Sequence, residues 1–166
     1  YWLACDAAFI GKQWLRPVYL HIQHGVIAQV CETPPPGQPL VNAGPGMVVP
    51  GFIDVQVNGG NGVLLNDCPT LAGLRNIFAA HSRFGTTAML PTLITDSLDC
   101  MQRTADAIAQ ALTSGEPGIV GVHFEGPHMS LAKRGVHSPQ YLRSISAAEM
   151  AVFARQDLGV KVITVA

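Results

Sequence analysis

Charge is scarce in this chain of 166 residues: Asp, Glu, Lys and Arg make up 13% of it, and 10 basic against 11 acidic side chains leave a formal net charge of −1. There is no basic field to hold a phosphate backbone, which argues against nucleic acid as a partner. Long apolar runs are missing too. None approaches the roughly 18 residues needed to cross a bilayer, so no membrane partner is expected. Cysteine is sparse. Cys5, Cys31, Cys68 and Cys100 stand far apart with no C-x-x-C, which indicates neither a zinc knuckle nor a disulfide scaffold and points to a reducing cytoplasm. What the chain has in quantity is apolar side chain, 48% of residues, enough to bury a sizeable core.

Two compositional regimes divide the chain. Residues 17 to 30 alternate apolar and polar positions on either side of His24-Gly25, a β-hairpin signal in which the X-Gly pair tolerates positive φ. His21 and His24 are three apart, a spacing that points to opposite faces of a strand, so they are given no site role. From Cys31 to Gly46 the chain carries Pro34, Pro35, Pro36, Pro39 and Pro45 with no periodicity and reads as a linker. The division expected is a small β segment with its linker at 1–46 and a second region at 47–166.

In that second region β and α patterns alternate. A strand is expected over 48–57 with a Pro-Gly interruption, a helix over 71–84 behind Thr70, and a strand over 86–93. A helix follows from Leu98 to the Ser114-Gly115 stop, then a strand over 119–125. Ser146 and Glu149 form a capping box opening a helix through Asp157, and a last strand begins at Val160. Such alternation predicts parallel strands joined by crossovers. A doubly wound sheet and a (β/α)8 barrel both fit it. The chain opens at Tyr1 and closes inside an apolar strand pattern, so it is expected to be part of a longer protein.

Chemistry in parallel α/β folds gathers at the C-terminal strand ends. Here those ends carry Asp54, Gln56 and Asn58, then Thr92 and Thr95, then His123 and Glu125. Glu125 stands out, because a carboxylate at a buried strand end is costly to leave without a cation. The segment beyond it, from Gly126-Pro127 to Pro139, adds His128, Lys133, Arg134 and His137. Lys133 and Arg134 read as a solvated basic pair, with contact to an anionic substrate as the alternative. Gly59-Gly60-Asn61-Gly62 lacks the Lys-Ser/Thr of a P-loop and the third glycine of a dinucleotide fingerprint, and reads as a tight βα loop.

Three ordered stretches, PGFIDVQVNG at 50–59, GTTAMLPTL at 85–93 and HFEGP at 123–127 followed by KRGVH at 133–137, resemble the N-acetylglucosamine-6-phosphate deacetylases of the amidohydrolase superfamily, in their N-terminal part. The resemblance implies a metal-dependent (β/α)8 barrel, about half of it present here, with a small β-sandwich domain that begins in the N-terminal segment. It implies hydrolysis of the N-acetyl group of N-acetylglucosamine 6-phosphate to glucosamine 6-phosphate and acetate by a cytoplasmic homodimer. Carried onto this sequence, Glu125 matches the carboxylate metal ligand, His137 the residue that contacts the sugar and polarises the acetamide carbonyl, and Val136 a backbone substrate contact. Gln56, Asn58 and His123 are expected to be second-shell or water-positioning groups.

Gln56-Val57-Asn58 stands where many amidohydrolases carry H-x-H, which implies one divalent ion rather than two. Zinc comes first, with iron, cobalt or manganese as alternatives. The family's two histidine ligands and its aspartate acid/base have no counterpart within these residues, so the 166-residue chain alone is expected to be inactive. The rival readings are another amidohydrolase acting on a cyclic amide or a different acetamido sugar, and a non-catalytic sugar-phosphate-binding module.

Overall fold

The computed structural model describes residues 1–166 and divides them into two compact units, Tyr1–Pro50 and Gly51–Ala166. The first unit is all β. Its strands are β1 (Trp2–Cys5), β2 (Ala7–Ile10), β3 (Gln13–Leu15), β4 (Val18–Gln23), β5 (Val26–Cys31), β6 (Leu40–Asn42) and β7 (Met47–Val48). They form two sheets, ordered β5-β4-β1-β6 and β3-β2-β7. Cys5, Ala8, Val18 and Leu20 bury their side chains together, with Leu3, Ile10, Leu15, Ile22 and Val48 packed around them. The β4–β5 hairpin turns at His24 and Gly25, both with positive φ, as the X-Gly signal predicts. The ring of His21 stacks on that of Trp2 at 4.8 Å.

Two expectations fail here. The proline-rich stretch is not wholly irregular, because β6 lies inside it and pairs in parallel with β1. Parallel pairing to a distant strand needs no local alternation, so composition did not register it. The strand expected over 48–57 is two strands: β7 pairs with β2 in the first unit, while β8 (Phe52–Val57) begins the second. Pro50, with no N–H for a ladder, stands in the gap between them.

In the second unit β8 is followed by the short β9 (Gly59–Gly60) and β10 (Val63–Leu64), then α1 (Leu71–Ser82), β11 (Thr86–Ile94), α2 (Leu98–Thr113), β12 (Gly121–Glu125), α3 (Ala147–Phe153) and β13 (Val160–Thr164). Thr70, Ser97 and Ser146 cap the three helices through their side chains, Ser146 in a full capping box with Glu149. The helix expected to run to Asp157 stops earlier. Lys161 Nζ donates to the carbonyls of Phe153 and Arg155 just past its end, satisfying carbonyls that another helical turn would have used.

The four main strands form a parallel sheet ordered β8-β11-β12-β13, the order in which they occur in the chain. The inward stripe of α2, Met101, Ala105 and Ile108, packs with Leu74 and Ile77 of α1 and with Met89, Leu93, Val122 and Phe124 of the sheet. Each of the larger side chains buried in this cluster contributes about 1.5–3 kcal/mol. No helix is long and apolar enough to cross a membrane.

Candidate functional site

Alternation along β12 sorts its side chains by face. Phe124 is fully buried and meets Phe153 edge-on at 5.4 Å, so it turns towards α3. His123 and Glu125 therefore share the opposite face. His123 is buried and committed at both nitrogens: Nδ1 lies 3.2 Å from the Val55 carbonyl and 3.4 Å from Thr92 Oγ1, and Nε2 lies 2.8 Å from Thr164 Oγ1. A carbonyl only accepts, so the ring proton sits on Nδ1 and Nε2 accepts from the Thr164 hydroxyl. His123 thus ties β12 to β8 and β13.

Glu125 is held differently. Gln56 Nε2 donates to its Oε1 at 3.1 Å, and His137 Nε2 stands 3.9 Å from the same oxygen. The Glu125 side chain is 19% exposed. The structure therefore brings Gln56, Glu125 and His137 together from β8, β12 and the following loop. Asn58 is not hydrogen-bonded to any of them, and its Nδ2 is buried with no partner. Val136 is 87% exposed.

The loop that delivers His137 is braced from within. The His137 N–H donates to the Arg134 carbonyl at 3.0 Å, and Arg134 Nη1 donates to the His137 carbonyl at 3.0 Å. Part of the Arg134 charge is therefore used inside the loop. The imidazole is 8% exposed, with Nδ1 2.8 Å from Thr95 Oγ1 and 3.4 Å from the Thr95 amide nitrogen. Gly126, with φ +85°, permits this: a Cβ there would lie 2.2 Å from Thr95 Oγ1.

A second polar cluster holds the far end of the loop. Glu149, 1% exposed, accepts from the Ser146 N–H and hydroxyl and from Arg143 Nε. Burial works against its charged form, but hydrogen bonds from Ser146 and then Arg143 outweigh this and hold the carboxyl below its ordinary pKa. Arg143 also donates to the carbonyls of Asp96 and Tyr141, and its own carbonyl lies 3.0 Å from His128 Nδ1. Sequence reasoning read the Ser146–Glu149 box but not Arg143, whose partners lie on elements far apart in the chain. Thr95 was legible only as a polar residue at a strand end.

Glu125 fits a divalent cation as one ligand. Its carboxylate is partly buried, receives only a neutral amide, and makes no hydrogen bond through Oε2. Asn58 Nδ2, a donor, fits an acceptor oxygen of a substrate or water rather than a cation. No group of three or more His, Cys, Asp or Glu side chains is gathered in the chain.

No family model matches the sequence. Solved structures of similar fold are deacetylases of the amidohydrolase type. That from Pasteurella multocida superposes with a TM-score of 0.83 at 30% identity, covering 92% of this chain and 41% of that one. A mutant Mycobacterium smegmatis enzyme in complex with N-acetyl-D-glucosamine 6-phosphate gives 0.80 at 30% identity, covering 90% and 39%. The match narrows further to amino-sugar 6-phosphate deacetylases, whose N-terminal part this chain resembles. It is 57% identical over 121 residues to an N-acetylgalactosamine-6-phosphate deacetylase of Shewanella sp. (strain ANA-3), covering 73% of this chain and 31% of the relative. It is 35% identical over 96 residues to the N-acetylglucosamine-6-phosphate deacetylase of Haemophilus influenzae, covering 58% and 25%. The chain thus spans a quarter to a third of the length of these curated relatives.

Proposed function

We propose that this chain supplies part of a metal-dependent amide hydrolase that removes the N-acetyl group of N-acetylglucosamine 6-phosphate, giving glucosamine 6-phosphate and acetate. The observation that carries this reading is Glu125: a partly buried carboxylate at a strand end, touched only by the neutral amide of Gln56, with His137 Nε2 3.9 Å away. Parallel strands in chain order support the further reading of an arc of a (β/α)8 barrel, since a doubly wound sheet reverses its order at a switch point. The first unit is read as the start of a small β-sandwich domain, and the passage into the barrel is read at 50/51 rather than at 46/47, because β7 pairs with β2.

In this reading Glu125 holds one divalent ion, zinc first among the candidates. Bound there, such an ion supplies Lewis acidity at neutral pH, polarising an amide carbonyl and making water a better nucleophile. Gln56 orients the Glu125 carboxylate by donating to its Oε1, and Glu125 would hold the ion. His137 donates from Nε2 to the acetamide oxygen, where negative charge develops as the carbonyl carbon becomes tetrahedral. Asn58, with its unpartnered Nδ2, donates to substrate or water, and Val136 offers its backbone to the sugar. His123 stands behind them and braces β12 through the Val55 carbonyl and the Thr92 and Thr164 hydroxyls. Four free cysteines support a cytoplasmic setting, and the whole protein is read as a homodimer.

The Shewanella relative favours a second reading, in which the substrate is the C4 epimer, N-acetylgalactosamine 6-phosphate. One experiment tests both. The segment of the Shewanella relative matched here is replaced by the corresponding residues of this chain, and acetate release is measured with each sugar phosphate and added zinc. Release from the gluco substrate supports the first reading, and preference for the galacto substrate supports the second. Release from neither, in a folded chimaera whose parent is active, overturns both.

A further inference from the structure

We propose that Thr95 is a positioning residue that keeps the His137 proton on Nε2, so that the imidazole presents a donor, not a lone pair, towards Glu125. This rests on the reading of His137 as donor to the acetamide oxygen. Two atoms of Thr95 face Nδ1: the hydroxyl at 2.8 Å and the main-chain nitrogen at 3.4 Å. A backbone N–H can only donate, so it meets a lone pair on Nδ1 favourably and a second N–H only with repulsion. The hydroxyl has one proton to give and two acceptors in reach, Nδ1 at 2.8 Å and the Glu125 carbonyl at 3.4 Å. The shorter contact takes it. Both donors then converge on Nδ1, and the ring proton is left on Nε2, the nitrogen 3.9 Å from Glu125 Oε1.

Burial makes the arrangement selective. Thr95 is 4% exposed and His137 7%, so water has little access to Nδ1 to support the other tautomer. A Cβ at Gly126 would lie 2.2 Å from the Thr95 hydroxyl, so the glycine leaves it room. Tautomer control of this kind is how a histidine's second nitrogen sets what its first can do.

The test is imidazole 15N NMR on the full chain, held at a pH well above the ordinary histidine range, with His137 assigned through its backbone. The wild-type ring is expected to show a pyrrole-type Nε2 and a pyridine-type Nδ1. The reverse pattern, or fast exchange between the two, overturns the proposal without needing any variant. Thr95→Val, which keeps the shape and the backbone N–H but removes the hydroxyl, is expected to weaken the Nε2–H preference, seen as a partial shift of both ring nitrogens towards their exchange-averaged values, while Thr95→Ser retains the wild-type pattern. An unchanged ring pattern in folded Thr95→Val overturns the role of the hydroxyl. The readout involves neither metal nor substrate, so a failure to release acetate counts against the deacetylase reading alone.

Discussion

Glu125 and Glu149 are two carboxylates at either end of one loop, and they live in opposite ways. Glu149 is 1% exposed and surrounded by donors, two from Ser146 and one from the Arg143 guanidinium. Glu125 is more open, receives one neutral amide, and has no cation within hydrogen-bonding distance. A buried carboxylate is stable only when its lone pairs are matched. Glu149 meets that condition from within the chain and works as a rivet between the loop and α3. Glu125 meets it only in part, which is what a group kept for a ligand looks like. The difference teaches that the useful question about a buried charge is how many of its hydrogen-bond positions the protein has already filled.

That contrast can be broken experimentally, beginning with its widest consequence. In the active chimaera, Glu125→Gln is expected to lower acetate release by at least about 100-fold and to reduce bound metal, while the thermal midpoint moves by no more than about 2 °C. Normal metal content in that variant would remove Glu125 from the site. Glu149→Gln should do the reverse. It leaves the half-buried Arg143 without its counter-charge and the buried carboxylate site with an amide, at a cost of about 1–3 kcal/mol or roughly 2–12 °C in Tm by calorimetry, with little change in activity per folded molecule. A stable Glu149→Gln would mean that the rivet is unnecessary.

The pH dependence sharpens the same contrast. The folded-state carboxyl of Glu149 titrates below its ordinary range because hydrogen bonds from Ser146 and Arg143 outweigh the opposing effect of burial. Its stabilisation is therefore complete above the unfolded carboxyl pKa of about 4.3 and is lost as the pH falls through the lower folded value. Acid unfolding followed by circular dichroism should show a shallower slope below about pH 4 in Glu149→Gln than in the wild type. An identical slope would place the acid-sensitive carboxylate elsewhere.

Local chemistry was readable in advance and long-range pairing was not. The Ser146–Glu149 capping box, the Thr70 cap and the His24-Gly25 turn all follow from residues within a few positions of one another. Strand β1 went unread, and β6 was hidden in a proline-rich stretch, because they pair with strands outside their own neighbourhood, whereas the β2–β3 hairpin is local and was missed for want of a clear alternation. The candidate site divides in the same way. Gln56, Glu125 and His137 were each picked out from strand ends and resemblance, and the structure places them side by side. Their connections, Gln56 to Glu125 across 69 positions and Thr95 to His137 across 42, are set by the stacking of strands. A sequence pattern carries no distance for either.

Gly126 has one more consequence, and it concerns inheritance rather than geometry. Because a Cβ at 126 and the hydroxyl at 95 claim the same space, the two positions cannot vary independently. Gly126→Ala should be more damaging beside Thr95 than beside alanine, although the positive φ keeps it unfavourable in either background. A double-mutant cycle on stability should show coupling on the order of 1 kcal/mol. Substitutions at 126 would then cost less, though still something, once 95 had lost its hydroxyl, and with it the control of His137. Two residues 31 positions apart form a ratchet: drift at one is blocked for as long as the other is in use.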